Sequence, residues 1–186
     1  MPGGPLDVLE IGAGAGLLSV LASIHPSVNK VVATDLEHVV SLLERNIMRN
    51  LDPLYPQSKV SVKCLDLKQA EDAPDVDLVL GADVIYDDAL SAAVIGLLRQ
   101  LATTSKSDTR VIFAFEKRWN FTLDTMAVTA PAFDFFMAGL ADLKNELPDG
   151  ALDWSLVGED KETLPQFFCY ERSNDLYLLR ILIRIP

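Results

Sequence analysis

The sequence has few of the residues that crosslink a chain or hold a metal ion. Its 186 residues include two cysteines and two histidines. Cys64 and Cys169 stand far apart and form no CxxC or Cys/His spacing, which argues against a disulfide framework and a zinc site. We therefore expect no bound metal and a reducing compartment.

Long hydrophobic runs are also lacking. No apolar run approaches the roughly 18 residues that indicate a membrane-spanning helix. The first residues show no basic stretch followed by an apolar one, the pattern of a secretory signal. We expect a protein of the cytoplasm, the nucleus or both, without membrane contact.

Positive charge is scarce as well. The chain carries 16 Lys and Arg against 27 Asp and Glu, a formal net charge of −11. Binding to a phosphate backbone is driven by Lys and Arg, so this balance argues against direct nucleic-acid binding. A basic partner fits better. Hydrophobic residues make up 49% of the chain, which predicts a single globular domain over residues 1–186.

An alternation of strand and helix patterns runs along the chain. Strand patterns occupy residues 6–11, 31–35, 59–65, 77–83, 111–115, 154–157 and 176–185. Strands that alternate with helices form parallel sheets covered on both faces, so we predict an α/β fold with a doubly wound, seven-stranded sheet. The last two strands have no helix between them, which predicts an antiparallel C-terminal strand in a mostly parallel sheet.

Two further expectations concern which side chains are buried. In the helix after the second strand, the apolar spacing predicts that these residues face the core: Val39, Leu42, Leu43, Ile47 and Met48. In the last strand, Leu179 and Ile181 alternate with Arg180, which is the pattern expected near a sheet edge.

The segment Glu10-Ile11-Gly12-Ala13-Gly14-Ala15-Gly16 lies between the first predicted strand and the first predicted helix. Glycines there let the backbone turn sharply and let a ligand approach the main chain. A dinucleotide-binding G-x-G-x-x-G sequence would need glycine at position 17, where Leu17 stands. The observed acid followed by G-x-G-x-G resembles motif I of the Rossmann-like S-adenosylmethionine (SAM) methyltransferases.

This resemblance implies a cofactor site for SAM. The loop is expected to wrap the amino-acid end of the cofactor, Asp35 to accept hydrogen bonds from the ribose, and Asp66 to meet the adenine amino group. The implied cofactor-binding residues are Glu10, Gly12, Ala13, Gly14, Gly16, Asp35, Leu36, Asp66, Leu67 and Ala82. A merely structural turn and a site for NAD remain the alternatives.

Ligands of doubly wound sheets bind beyond the carboxyl ends of the strands, which directs attention to the residues after strands four and five. Asp83-Val84-Ile85-Tyr86 resembles the D-x-x-Y motif of the family 16 seven-β-strand methyltransferases, whose characterised members mostly methylate lysine in other proteins. The [DN]-P-P-[FYW] motif of base methylases and the paired-glutamate loop of arginine methylases are missing.

The resemblance to family 16 makes Asp83 and Tyr86 the candidate catalytic residues. Asp83 would orient the amine, and Tyr86 would shape the pocket. Alternatively, Asp83 caps the helix that begins near Asp87, and Tyr86 packs in the core.

Residues 115–123 and 166–172 resemble one subgroup of the same family. They suggest substrate contacts by Glu116, Trp119, Asn120 and Tyr170, although residues 116–118 could equally form a solvated turn. An aromatic face such as that of Trp119 could hold a cation.

Together these patterns predict a SAM-dependent protein-lysine N-methyltransferase acting on a basic protein substrate with an accessible lysine. A small-molecule methyltransferase and a catalytically silent binding module with the same fold are the alternatives. Family members carry a segment before motif I that helps cover the cofactor, and we expect that segment to be missing here. Leu67 also stands where relatives often have tryptophan, so we expect weaker cofactor binding.

Overall fold

A computed structural model of the chain describes residues 4–51, 59–69, 74–123, 126–157, 169, 171 and 173–185. In chain order its strands are β1 Leu6–Ile11, β2 Val28–Asp35, β3 Val60–Cys64, β4 Leu78–Ala82, β5 Thr109–Glu116, β6 Asn120–Thr122, β7 Ala127–Thr129, β8 Leu152–Val157 and β9 Leu176–Ile183. The helices are α1 Leu17–Ser23, α2 Glu37–Leu51, α3 Asp88–Thr104 and α4 Pro131–Glu146.

Seven of the strands form one sheet in the order β3-β2-β1-β4-β5-β9-β8. The pairs from β3 to β5 are parallel, whereas β9 is antiparallel to both β5 and β8. Strand β9 therefore runs against the other six. The predicted seven-stranded, mostly parallel sheet with an antiparallel C-terminal strand is confirmed.

The last strand lies near the sheet edge, as predicted. Strand β9 lies between β5 and β8, and β8 forms that edge. Leu179 and Ile181 are buried against the helices, while Arg180 is exposed on the opposite face. The alternation of apolar and charged residues along β9 therefore reflects one buried and one exposed face of the sheet at this strand.

The helices lie on both faces because right-handed crossovers run in opposite directions from the middle of the sheet. Helices α1 and α2 follow β1 and β2, and Leu43, Ile47 and Leu51 of α2 pack with Ala33. Helices α3 and α4 belong to a separate, larger core with β4, β5 and β9. Among the described residues, no helix is long and apolar enough to cross a membrane.

Two of the side chains that we expected to face the core from α2 are in fact exposed. Leu42 is 47% exposed and Met48 is 62% exposed. The buried positions Leu43, Ile47 and Leu51 are spaced four residues apart, so the buried stripe is narrower than the apolar pattern suggested.

The short β6–β7 hairpin was absent from the prediction. Each of its strands has three residues, too few to produce a periodic signal. Phe121 and Val128 are paired across the two strands and remain 59% and 62% exposed. The hairpin therefore presents an apolar face next to the end of β5.

Adjacent phenylalanines on α4 provide a test of the larger core. Phe136 is 0% exposed, whereas Phe135 is 44% exposed. Replacing Phe136 by Ala leaves a cavity and is expected to lower the free energy of unfolding by about 3–5 kcal/mol. Phe135→Ala is the matched control, with an expected loss below about 1 kcal/mol. Urea denaturation of both variants measures the difference, and equal losses would contradict the described orientation of α4.

Candidate active site

The site lies where the strand order reverses. Strand β1 pairs with β2 on one side and with β4 on the other, so the connections leave it in opposite directions. The carboxyl ends of these parallel strands meet at one edge of the sheet. That edge carries Gly12 after β1, Asp35 at the end of β2, Asp83 after β4 and Glu116 at the end of β5. A crevice at such a reversal is the usual ligand site of this sheet type.

The glycines of the loop after β1 adopt backbone conformations that L side chains rarely adopt. Gly12, Gly14 and Gly16 have φ angles of 60°, 54° and 85°. A Cβ added to Gly12 would lie 2.9 Å from a methyl group of Val84, and one added to Gly16 would lie 2.7 Å from Leu43. At Gly14 an added Cβ would meet no atom within 4 Å. A side chain at Gly12 or Gly16 would therefore crowd its neighbours, whereas Gly14 faces open space.

Hydrogen bonds tie this loop to the end of β2. The amide of Ala13 donates to the carbonyl of Thr34 at 2.9 Å. The amide of Gly14 donates to Oδ2 of Asp35 at 2.7 Å. The hydroxyl of Thr34 donates to the carbonyl of Glu10 at 2.7 Å. Asp35 therefore holds the glycine loop in place from within the ligand crevice.

Glu10 is a buried support of the loop. Its exposed fraction is 2%, and its carboxylate accepts a hydrogen bond from the hydroxyl of the fully buried Ser19. Burial raises the pKa of Glu10, and the charge of Asp35 adds to the increase, while the hydrogen bonds from Ser19 oppose it. Glu10 therefore supports the start of the loop from the protein interior.

A cleft of about 320 Å³ opens at this edge of the sheet. It is lined by these predicted residues: Gly12, Asp35, Leu36, Asp66, Leu67, Asp83 and Tyr86. Glu10, Ala13, Gly14, Gly16 and Ala82 are not among its lining residues. The structure thus brings together the implied ribose and adenine positions and the D-x-x-Y motif in one cavity.

The sequence prediction omitted several residues that line the cleft. They are Thr34, Leu65, Lys68, Val84, Asp87 and Leu90. Most lie within two positions of a predicted residue, so the strand ends that located the motifs also point to these neighbours. Lys68 differs from the other five in charge, because it places a cation beside the predicted adenine site.

Asp66 already has two hydrogen-bond partners on its own turn. Its Oδ1 accepts from the amide of Lys68 at 3.0 Å, and its Oδ2 accepts from the side-chain amide of Gln69 at 2.8 Å. An ionised carboxylate has about four acceptor positions, so each oxygen keeps capacity for a further donor. These bonds orient Asp66 in the cleft wall.

The structure excludes both structural alternatives for the D-x-x-Y motif. Asp87, not Asp83, caps α3, because Oδ1 of Asp87 accepts from the amide of Leu90 at 2.8 Å. Tyr86 is 48% exposed and therefore does not pack in the core. Asp83 has a φ of 56°, and its amide donates to the carbonyl of Ala114 on β5 at 2.7 Å. Asp83 thus sits in a left-handed turn that leaves its side chain at the cleft.

Arg118 contacts both residues of the motif. Its Nη2 donates to Oδ1 and Oδ2 of Asp83 at 2.9 and 2.7 Å. Its guanidinium carbon lies 5.6 Å from the ring centroid of Tyr86, within the range of a cation–π contact. The sequence placed Arg118 in a loop of undecided role, since an ion pair between residues 35 positions apart leaves no local pattern.

Trp119 was predicted to contact substrate, and in the structure it contacts two other residues of this chain, Asp175 and Lys117. Its indole nitrogen donates to Oδ1 of Asp175 at 2.9 Å. The ammonium of Lys117 lies 4.3 Å from the ring centroid of Trp119 and 4.4 Å from that of Phe133. An aromatic position proposed to hold a substrate cation is therefore occupied by a lysine of this chain.

Glu116 and Asn120, which were also predicted to contact substrate, are not among the residues that line the cleft. Oε1 of Glu116 accepts from the hydroxyl of Ser173 at 3.0 Å. Asn120 is exposed on β6, where it pairs with Thr129. Tyr170 lies outside the described residues, as does most of the segment 166–172. The roles of these residues remain predictions.

Metal-ligand clusters and reactive thiols are scarce in the described part of the chain. No cluster of three or more His, Cys, Asp or Glu there is arranged to hold a metal ion. Cys64 is exposed, and its hydrogen bond with Glu37 raises the pKa of the thiol. A raised thiol pKa lowers the fraction of reactive thiolate.

The buried carboxyl of Glu10 gives a pH-dependent prediction. Because burial raises its pKa in the folded state, protonation stabilises the fold, and this contribution is lost as the pH rises through the folded-state pKa. Glutamine cannot ionise, so Glu10→Gln should gain stability relative to the wild type as the pH rises from about 4 to about 8. Urea denaturation across this range measures the difference.

Glu44→Gln, at an exposed position on α2, controls for the loss of one negative charge. A stability difference between Glu10→Gln and the wild type that stays constant with pH would contradict the effect of burial on the pKa of Glu10.

Known proteins resemble this chain in sequence. A family model described as "Lysine methyltransferase" matches residues 3–128. Methyltransferase-like protein 22 from Mus musculus is 32% identical over 95% of this chain and 49% of its own length. The Homo sapiens protein of the same name is 31% identical over 94% of this chain and 47% of its own length. The chain thus spans about half the length of these two relatives.

Solved structures share the fold. N-methyltransferase NodS from Bradyrhizobium japonicum WM9, in complex with S-adenosyl-L-homocysteine (SAH), aligns with a TM-score of 0.56. The alignment covers 97% of this chain and 79% of NodS at 18% sequence identity, which supports the Rossmann-like fold alone. The family relationship depends on the sequence matches, which span most of the chain and include motif I and D-x-x-Y. The chain belongs to the lysine methyltransferase family.

Proposed function

We propose that the protein is a SAM-dependent methyltransferase that transfers a methyl group to a lysine side chain of a protein substrate. The observation that carries this proposal is the shared cleft, in which Gly12 of motif I, Asp35 and Asp66 lie together with Asp83 and Tyr86. The residues assigned to the cofactor and those assigned to the acceptor lysine thus line the same cavity. Membership of the lysine methyltransferase family supports lysine as the acceptor.

The residues of the cleft fit SAM. The cleft volume of about 320 Å³ lies within the usual range for a cofactor site. The glycine loop would receive the amino-acid end of the cofactor, Asp35 its ribose hydroxyls and Asp66 its adenine amino group. The NodS complex with SAH supports this choice within the shared fold. When bound, SAM supplies a methyl group on a positively charged sulfur.

On the acceptor side, the residues of this chain mainly align the reactants. Asp83 offers two carboxylate oxygens to an ammonium, and Tyr86 offers an aromatic face and a hydroxyl beside it. The lysine must lose a proton before its nitrogen can attack, and removal from water lowers the pKa of an ammonium. Holding the amine in line with the transferred methyl is the largest contribution expected of such a site.

Charge supports a basic substrate segment. The whole chain has a formal net charge of −11. At the cleft itself, Asp83 and Asp87 line the wall, and Asp88 is exposed at the start of α3. A positively charged segment around the target lysine would be attracted to this edge, mainly through a faster association rate.

Asp83→Ala tests the acceptor site. The variant is expected to lose at least about a hundredfold in the methyl-transfer rate, because the amine is no longer aligned. Its affinity for SAM, measured by calorimetry, should stay within about twofold of the wild type, since Asp83 lies on the acceptor side. Asp88→Asn removes an exposed acid nearby and serves as the control. Unchanged turnover in Asp83→Ala would refute the assigned role.

Gly14→Ala tests the cofactor side with a matched control. Gly14 and Gly150 both have positive φ angles, and an added Cβ would meet no atom within 4 Å at either position. Each Gly→Ala change should therefore cost a similar stability, about 1 kcal/mol, from backbone strain. Only position 14 belongs to the glycine loop, which is assigned to the amino-acid end of SAM. We expect at least about a tenfold loss of SAM affinity, or ~1.4 kcal/mol, for Gly14→Ala alone; equal affinities in the two variants would contradict this placement.

The activity is tested by incubating the protein with radiolabelled SAM and a cell extract. Label in a protein, located on lysine by mass spectrometry, supports the proposal. Label confined to small molecules would overturn the lysine assignment. Calorimetry that shows no heat with SAM or SAH, together with no thermal shift, would instead indicate a catalytically silent module.

A further inference from the structure

Arg118 contacts Asp83 and Tyr86, the two side chains that the proposed function assigns to binding the incoming lysine. Its Nη2 lies 2.9 and 2.7 Å from the two carboxylate oxygens of Asp83. Its guanidinium carbon lies 5.6 Å from the ring centroid of Tyr86. The carboxylate and the aromatic ring of the D-x-x-Y motif therefore already contact a cation of the protein itself.

The geometry resembles the contact of an ammonium more than that of a typical arginine fork. Arginine usually contacts a carboxylate through two nitrogens in parallel hydrogen bonds. Here a single nitrogen, Nη2, donates to both oxygens of Asp83. A lysine ammonium also carries its donors on one nitrogen. A lysine nitrogen in the place of Nη2 could make the same two hydrogen bonds.

We propose that Arg118 is an internal competitor of the substrate lysine, which must displace it from Asp83 and Tyr86 before methyl transfer. This inference rests on the proposed function. In the unliganded protein, Arg118 neutralises the acceptor carboxylate. A substrate cation binds to Asp83 only when its contact is more favourable than that of the Arg118 guanidinium. Arg118 therefore lowers the apparent affinity of the site for the acceptor lysine.

The Arg118–Asp83 ion pair is suited to displacement. The two side chains are 45% and 55% exposed, and exposed ion pairs contribute little net stability. The neighbours of Arg118 hold the loop independently, because the amide of Lys117 donates to the carbonyl of Asp175 at 2.7 Å and the indole of Trp119 donates to its carboxylate at 2.9 Å. Rotation of the Arg118 side chain can therefore free Asp83 while the loop backbone stays in place.

The test measures binding of n-butylammonium, an analogue of the lysine side chain, to the full chain by chemical shifts of backbone amides at positions 83–87. Arg118→Gln removes the competing charge and should tighten binding about fivefold, equivalent to ~1 kcal/mol. Arg118→Lys restores a competing cation and should return the affinity toward that of the wild type. No increase in the affinity of Arg118→Gln, including no detectable binding, would overturn the inference.

Arg99→Gln is the matched control. Arg99 pairs with Glu146 through Nη2 at 2.6 Å, and the two side chains are 48% and 54% exposed, so this pair resembles Arg118–Asp83 in exposure. It joins α3 to α4, and neither residue lines the cleft. Arg99→Gln should leave the affinity for n-butylammonium unchanged. A similar increase in this variant would indicate a general effect of net charge and would contradict the inference.

Methyl transfer separates this inference from the proposed function. Arg118→Gln should lower the KM for the labelled protein substrate about fivefold, with a smaller change in kcat. If the wild type methylates protein but Arg118→Gln binds n-butylammonium no better, the competitor role fails while the function stands. If the wild type transfers no methyl group to protein, the proposed function fails, and the binding titration still decides whether Arg118 competes for Asp83.

Discussion

The reversal of strand order between β1 and β4 is the constraint on which the site depends. Because β1 is parallel to both neighbours, the segments after β1, β2 and β4 all emerge at one edge. The glycine loop, Asp35 and the D-x-x-Y turn are thereby placed around a single cleft. The two motifs lie against each other at Gly12, where an added Cβ would be only 2.9 Å from a methyl group of Val84.

Hydrogen bonds between polar groups behind the cleft support this arrangement. Glu10 and Ser19 are bonded to each other in the interior, and Thr34 donates to the backbone of Glu10. Asp35 in turn accepts from Gly14. Buried polar groups are costly unless they are hydrogen-bonded, so each of these contacts favours one position of the loop. In contrast, Asp83, Tyr86 and Arg118 are exposed side chains, and ion pairs between exposed side chains contribute little net stability.

Burial explains which predictions about the helices and strands were correct. Hydrophobic periodicity identified the strands and most helix faces because it reports burial, which the sheet requires on both faces. It overestimated the buried face of α2, where Leu42 and Met48 are exposed. It correctly assigned one apolar and one polar face to β9, where Leu179 and Ile181 are buried and Arg180 is exposed. The three-residue strands of the β6–β7 hairpin were too short to leave a pattern.

The sequence by itself determined the glycine loop, the acids at the strand ends and the family resemblance, because turn geometry and motif spacing depend on residues that are close along the chain. Tertiary structure decided which cations meet those acids. Arg118 reaches Asp83 across 35 positions because the sheet sets the end of β4 beside the end of β5. Lys117 likewise reaches Phe133 only after α4 has packed. Such contacts depend on the packing of distant segments, which no local pattern in the sequence records.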